Sequence, residues 1–503
     1  MAFTGRHEIT TSVAEVTREN VVGVLNAALT VHVQNRAEID YLYKYYKGDQ
    51  PILYRIKDVR PEICNRILEN RAYEIVSFKV GYEMGEPVQY VCRSGSEDKS
   101  ESVTELNEFC LSEEKQSKDA DLDEWRHVAG VAYRMILPDP EEVLEEEDAP
   151  FELYVLDPRD TFLVRNNDLG KKPLMGVRFV KDDLGDVHFS CYTKDRYYEV
   201  VNNNIIRDEP HILGDIPIVE YRLNHAMLGA FEPVLTLLDA INTTLSNQVD
   251  GVEQFIQALM VFYNVDISSD DFEQIKVSGG LKVKDIDPQM KARVEYLVNN
   301  MSQGETQVLV DNMYEAVLTI VGMPNRNGGS STSDTGLAVV YRDGWSEAES
   351  YAKNTENTYK LAERRFLKLL LRICHGRGRL DGLRAWDVKI QFTRRNYENI
   401  QMKSQVLITM LQSGMVHPRL AFEHCGMFPD PDLAYKMSME WMEEQEKKAE
   451  EKQKQLLAQQ AAQQGGAQNG DKADTGDGGE DRKPAASRQQ SGSTDRAGES
   501  NNR

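Results

Sequence analysis

The chain has 503 residues, 40% of them hydrophobic, and carries a formal net charge of -23 with an isoelectric point near 5.0. That balance excludes a protein that grips nucleic acid through clustered Lys and Arg, since such proteins neutralise phosphates, but not one that lets DNA pass. No run approaches the ~18–20 apolar residues of a membrane span, the first twenty residues lack the apolar core of a secretory signal, and the six scattered cysteines, with no CxxC pair, predict buried reduced thiols rather than disulfides or a zinc site.

Up to about residue 230 the pattern is mixed and predicts an α+β region. "EIVSFKVGY" (74–82) and "KPLMGVRFV" (172–180) read as strands between turn-rich pieces. From Phe231 the pattern turns helical. Pro233 suits a first turn, and Val234, Leu237, Leu238, Ile241, Leu245, Val249, Val252, Ile256 and Leu259 recur at helical spacing, predicting a helix from Glu232 to Phe262. Its polar face includes Asp239, Asp250 and Glu253, and no Lys or Arg occurs between Arg222 and Lys276. Such a helix forgoes the i,i+4 ion pairs that long helices use. The face reads either as a solvated acidic surface or as one that must not bind polyanions.

"IKVSGGLKVK" then alternates around Ser278, Gly279 and Gly280, a hairpin signal because Gly supplies the positive φ of a tight turn. A looser helical stripe returns with Val308, Met313, Val317, Ile320 and Val321. "GMPNRNGGSSTSDTG" (322–336) interrupts the helices with residues that nearly all disfavour them and a single Arg. Beyond it, Leu337, Tyr341, Trp345, Ala348, Ala352, Thr355, Tyr359, Ala362, Phe366, Leu369 and Ile373 step by fours and threes, with Ser333, Asp334 and Thr335 as candidate N-caps and Gly376 as a stop. Roughly forty residues at ~1.5 Å each gives ~60 Å of helix. "WDVKIQFTRR" (386–395) reads as a strand. Residues to about 462 read as helices broken at "SGMVHPR" and "FPDPD", and the polar low-complexity tail that follows is too poor in apolar residues to fold.

No phosphate-binding loop, HExxH or GxSxG occurs, and the adjacent His424 and Cys425 are too few for a metal site. The chain therefore gives no reason to expect a catalytic residue, a metal or a cofactor. The open alternatives are a structural or adaptor protein with long helices and, with less support, a nucleic-acid-processing enzyme.

The segments "YLYKYYKGDQPIL" (41–53), "NRILENRAYEIVSFKVGYEMGEPVQY" (65–90), "LDPRDTFLV" (156–164) and "LGDIPIVEYRLNHAMLGAFEPVLTLLDAINTTLSNQVDGVEQF" (213–255), in this order, resemble the portal, or head-to-tail connector, proteins of tailed bacteriophages, of the siphophage type of Gram-positive hosts. The resemblance runs from about Tyr41 to Trp441. It implies an α+β, predominantly helical portal fold. The N-terminal wing would be 1–230, the first stem helix 231–262, the β-containing clip 263–290, and the clip-to-stem segment with the second stem helix 291–321. The tunnel loop would be 322–336, the long wing helix 337–376, a wing strand 377–396, the helical crown 397–462 and the disordered tail 463–503.

It further implies a non-enzymatic homo-oligomer, typically a ring of twelve, at one capsid vertex of the virion and assembled in the host cytoplasm. Double-stranded DNA would enter and leave through it without sequence specificity. Terminase, head-completion proteins, scaffolding protein and major capsid protein would be its partners, and no membrane is involved. On this reading Asn325, Arg326, Asn327, Ser330, Ser331 and Thr332 form the DNA-channel loop, Asp239, Asp250 and Glu253 an acidic channel lining, and Ser278, Gly279 and Gly280 the clip hairpin.

Overall fold

The computed structural model describes residues 5–93, 97–140, 148–256, 259–265, 286, 291, 293–297, 303–325, 344–394, 400–428 and 431–465. The chain forms two compact units, 1–435 and 436–503. Helix outweighs strand, 51% against 18%, as the α+β, predominantly helical expectation has it.

In the N-terminal region α1 (Val21–Tyr46), α2 (Arg71–Glu83), α3 (Glu97–Ser112) and α4 (Lys115–Ala129) accompany three sheets. Six strands pair in the order β1 (Ile9–Thr11), β5 (Thr161–Asn166), β6 (Pro173–Lys181), β7 (Val187–Tyr192), β8 (Arg196–Val201), β9 (Asn204–Pro210); β1 runs parallel to β5 and the others are antiparallel meanders. A second antiparallel sheet orders β10 (Ile218–Arg222), β3 (Val131–Pro138), β4 (Phe151–Leu156). β2 (Gln89–Cys92) pairs with β13 (Val388–Gln391), which joins the two ends of the sequence across about three hundred residues.

The strand expected within 172–180 is β6. The one expected at 74–82 is instead most of α2. Ile75, Val76, Phe78, Val80 and Tyr82 nearly alternate, yet the buried positions are Ala72, Ile75, Val76, Lys79 and Glu83, the three-four spacing of a helix. Asn70 starts it by accepting a hydrogen bond from the Tyr73 amide at 3.3 Å.

The helix expected from Glu232 to Phe262 is also shorter than its apolar pattern suggests. After a 3-10 turn at Glu232–Val234, α5 covers Leu235–Ile256, and the apolar run that follows is β11 (Leu259–Tyr263), antiparallel to β12 (Arg293–Leu297). "LMVFY" mixes a β-branched residue with aromatics, which favour a pleated surface once a partner strand is present. The turn expected at Ser278, Gly279 and Gly280 lies outside the described residues.

α6 (Gln303–Val321) returns along α5. Leu238, Ile241, Val310, Val317, Leu318 and Val321 are buried together in one core with Leu42, Tyr45, Ile75 and Phe231. α7 (Trp345–Gly376) is the long central helix, about 48 Å at 1.5 Å per residue. Its buried row contains Ala348, Ala352, Thr355, Tyr359, Ala362, Phe366, Leu369 and Ile373, every member of the predicted stripe from 348 onward. It packs on β10, β3 and β4. Its N-cap is Gly344, at φ +81°, and the expected N-caps Ser333, Asp334 and Thr335 and helix positions 337–343 lie outside the described residues.

α8 (Ile400–Gln412), α9 (Pro418–Cys425) and α10 (Pro431–Gly465) break where the sequence says they should, with His417 capping α9 ahead of Pro418. Phe422 stacks on Phe428 at 5.4 Å in a small separate core that also holds Leu407, Ala421 and Cys425. None of the six cysteines forms a disulfide, and four of them are buried.

Candidate functional site

Three of the predicted site residues, Asp239, Asp250 and Glu253, fall on α5, which packs on α6. Going round α5, three faces differ in chemistry. One is apolar and meets α6. A second, through Asn242, Ser246 and Asp250, is polar and almost wholly buried. The third, open to solvent, shows Thr236, Thr243, Asn247 and Gln254 and no charge.

What buries the polar face is the irregular segment 55–69 between α1 and α2, which lies along α5 as a strap. Its backbone amides donate to the helix: Asn65 to Asp250 at 2.7 Å, Ile67 to the Ser246 hydroxyl at 2.9 Å, Glu69 to Asn242 at 2.9 Å. Its side chains add Lys57 Nζ at 2.9 Å and Arg55 Nη2 at 3.1 Å from Asp250 Oδ2, and Asn65 Nδ2 at 2.9 Å from Glu253. Backbone without strand or helix partners must find donors and acceptors somewhere. Here the polar row of α5 supplies them.

This corrects the sequence reading of Asp250. The carboxylate is 2% exposed and already has an ammonium, a guanidinium and an amide of its own chain on it. Burial acts to raise its pKa, but the Asn65 amide and Lys57 outweigh burial and hold it below the usual carboxylate value. A neutralised, enclosed charge projects nothing into a channel. Asp239 is half-buried and accepts from the Tyr45 hydroxyl at 2.9 Å, with burial raising its pKa, and Glu253 is half-buried against Asn65. The missing Lys and Arg of α5 therefore arrive from another part of the chain, which no helical periodicity could show.

α6 carries the exposed acids. Glu305, Asp311 and Glu315 face solvent on a helix that has no Lys or Arg. Asp311 accepts from Gln307 at 2.8 Å, and Glu315 from Asn325 Nδ2 at 3.5 Å. The four-residue spacing of Asp311 and Glu315 puts them on one face, a signal present in the sequence and passed over beside the longer gap in basic residues around α5.

At the end of α6, Gly322 adopts φ +66°; its amide bonds to the Thr319 carbonyl at 3.3 Å and the Met323 amide to the Leu318 carbonyl at 2.9 Å. That is a Schellman stop, closed by contact of the apolar residues Leu318 and Met323 in the buried core. Gly344, which opens α7, sits against the same point: the position a Cβ would take is 3.6 Å from Pro324 Cα and 3.9 Å from the Met323 carbonyl oxygen. Residues 324 and 344, on either side of the intervening segment, thus lie at one spot. Of the predicted loop residues, Asn325 is half-buried beside Glu315; Arg326, Asn327, Ser330, Ser331 and Thr332 lie outside the described residues.

Among the described residues the one grouping with metal-ligand geometry is Glu83, Asp123 and His127, all buried. Arg126 Nη2 is 2.6 Å from Glu83 and 2.8 Å from Asp123, so a guanidinium already occupies the charge that a cation would need. The group is an internal ion network.

No curated protein sequence matches the chain. The family described as phage portal protein, SPP1 Gp6-like, matches residues 27–457, a wider span than the 41–441 over which the resemblance was read. Portal proteins of this family are structural, non-enzymatic channel proteins of the phage head. With a match over most of its length, the chain belongs to the SPP1 Gp6-like family of phage portal proteins.

Proposed function

We propose that copies of this chain, twelve in the complete particle, close into a ring at one capsid vertex of a siphophage of a Gram-positive host. DNA driven by terminase enters through the ring and later leaves by it. In this reading α5 and α6 are the stem, the β11–β12 pair the upper part of the clip, residues 1–230 with α7 and β13 the wing, and α8 to α10 the crown. Terminase, and after it the head-completion proteins, would dock at the clip end; scaffolding and major capsid proteins would meet the wing. Assembly takes place in the host cytoplasm.

The observation that carries the loop assignment is the closeness of Pro324 and Gly344. A segment whose two ends are held at one point can change shape without moving the helices on either side. A tunnel loop needs this, because the DNA screw does not match the symmetry of the ring. Arg326 would give each subunit one screened phosphate contact, and Asn325, Asn327, Ser330, Ser331 and Thr332 short reversible ones.

We assign the acidic lining to the Asp311 and Glu315 face of α6 in place of Asp250. A ring multiplies these charges, and a channel a few Debye lengths of ~8 Å wide screens them incompletely, so repulsion keeps the duplex off the wall. Electron microscopy of the purified protein with native mass determination tests the assembly. Rings of about a dozen subunits with a hole wide enough for duplex DNA are expected, and a monodisperse monomer across salt concentrations would overturn the reading.

A further inference from the structure

The strap is folded inside out. Its charged residues Arg55 and Lys57 turn in to Asp250, and the apolar residues next to them turn out, while Ile63 further along is buried: Tyr54 is 70% exposed, Ile56 83% and Val59 76%. Alternation in an extended segment puts neighbours on opposite sides, so fixing Arg55 and Lys57 on α5 forces Ile56 outward. Three large apolar side chains exposed within six residues are a concentration of the kind that marks an interaction surface rather than scattered single exposure.

A second apolar row lies on α6, where Leu309 and Ile320, 52% and 53% exposed, flank Ala316 at helical spacing. Its position relative to the strap follows from Tyr314. The Tyr314 hydroxyl donates to Glu74 at 2.9 Å, and its ring lies 3.9 Å under Arg71, both residues of the α2 start into which the strap runs. Tyr314 thus marks the strap side of α6. At 100° per residue, Leu309, Ala316 and Ile320 point roughly 120–160° away from it. The two apolar surfaces therefore lie on opposite flanks of the α5–α6 pair.

We propose that these flanks are the two halves of one contact between neighbouring copies: Tyr54, Ile56 and Val59 of each subunit pack on the Leu309, Ala316, Ile320 row of the next. A ring closed by rotation needs a heterologous interface, in which two different surfaces of the same chain are complementary and face opposite ways. The strap and the α6 row meet that requirement, and a self-complementary patch would not. The buried ion pairs of Asp250 then hold the strap in the register that presents its apolar side. This rests on the ring reading above and adds to it which residues meet.

The test is disulfide trapping in assembled protein with Cys64 and Cys92, the two cysteines that are not buried, changed to Ser. Ile56→Cys combined with Leu309→Cys, and Val59→Cys combined with Leu309→Cys, should on mild oxidation give a ladder of linked subunits rising to the full ring, and each single variant should give none. In parallel, Ile56→Asp and Leu309→Asp should lower the ring fraction by at least about tenfold, because burying an unpaired carboxylate at each contact costs more than the factor-of-ten free energy. The helical circular dichroism and melting of the subunit should be unchanged, since both positions are exposed within it.

Wild-type rings that yield no ladder in either pair, and persist with Ile56→Asp and Leu309→Asp, would overturn this interface while leaving the ring intact. A wild-type chain that forms no rings would overturn the ring reading, and this surface with it.

Discussion

Glu363 shows how a single residue ties α7 to the strands and helices packed on it. It sits on the buried row of α7 with no exposure. It accepts from the Tyr90 and Tyr221 hydroxyls at 2.6 Å each, and pairs with Lys115 at 3.0 Å and Arg134 at 3.3 Å. Burial works to raise its pKa, and Lys115 and Arg134 outweigh burial and lower it to about 2. Glu363→Gln leaves Lys115 and Arg134 sharing Asp119 alone, and breaking buried ion pairs in this way typically costs about 3–5 kcal/mol. Denaturant unfolding should show that loss, and a shift within a few tenths of a kcal/mol would refute the role.

His127 gives the pH dependence. Burial acts to lower its pKa from 6.5, but Asp123 and Glu83 outweigh burial and raise it to about 9. A raised histidine contributes stability that is complete below pH 6.5 and lost as pH climbs through 9. Lys79 acts in the opposite sense over a higher window. Burial lowers it from 10.5 to about 8, so the unfolded chain binds the extra proton between those values and stability there rises with pH. The clean window is pH 6.5 to 8, where stability of the wild type should fall and that of His127→Gln should be flatter. Parallel slopes for the two proteins would remove His127 from the account.

At the scale of elements, the α5 and α6 carboxylates separate by what they touch. Asp311→Lys and Glu315→Lys place cations on an exposed helix face and should leave the subunit as stable as before while slowing DNA packaging, since each cation adds a phosphate contact. Asp250→Lys does the reverse. It sets a third cation beside Arg55 and Lys57 in a site 2% exposed. It should destabilise the fold by several kcal/mol, roughly the cost of an unpaired buried charge, and open the strap to trypsin at Arg55 and Lys57. Packaging unaffected by the α6 changes would count against the acidic lining, and a trypsin-resistant Asp250→Lys protein would count against the strap's anchorage.

For the whole molecule, the division at residue 435 makes a prediction about autonomy. Among the described residues, the cores, the two buried ion networks and the small cluster around Phe422 all lie before residue 436. A chain ended after Tyr435 should therefore unfold with the same midpoint in denaturant as the full chain, to within about 0.5 kcal/mol. A clear loss would mean that residues beyond 435 support the first unit.

What the sequence by itself determined is whatever local period or punctuation encodes. The buried row of α7 from Ala348 to Ile373, the breaks before Pro418 and Pro431, and the stop at Gly322 all follow from residues within a turn or two of each other. The order of the segments was enough for the family. Tertiary structure decided the rest, because the deciding partner was distant in the chain. α2 is helical despite near-alternating apolar residues, as its three-four face meets a core built from α1, α5 and α6. The helix expected to reach Phe262 stops at Ile256, where a strand partner some thirty residues further on becomes available. Asp250, an acid on a helix without basic neighbours, is neutralised from nearly two hundred residues away. A charge pattern along one helix records composition, whereas which face meets solvent depends on what the remainder of the chain lays over it.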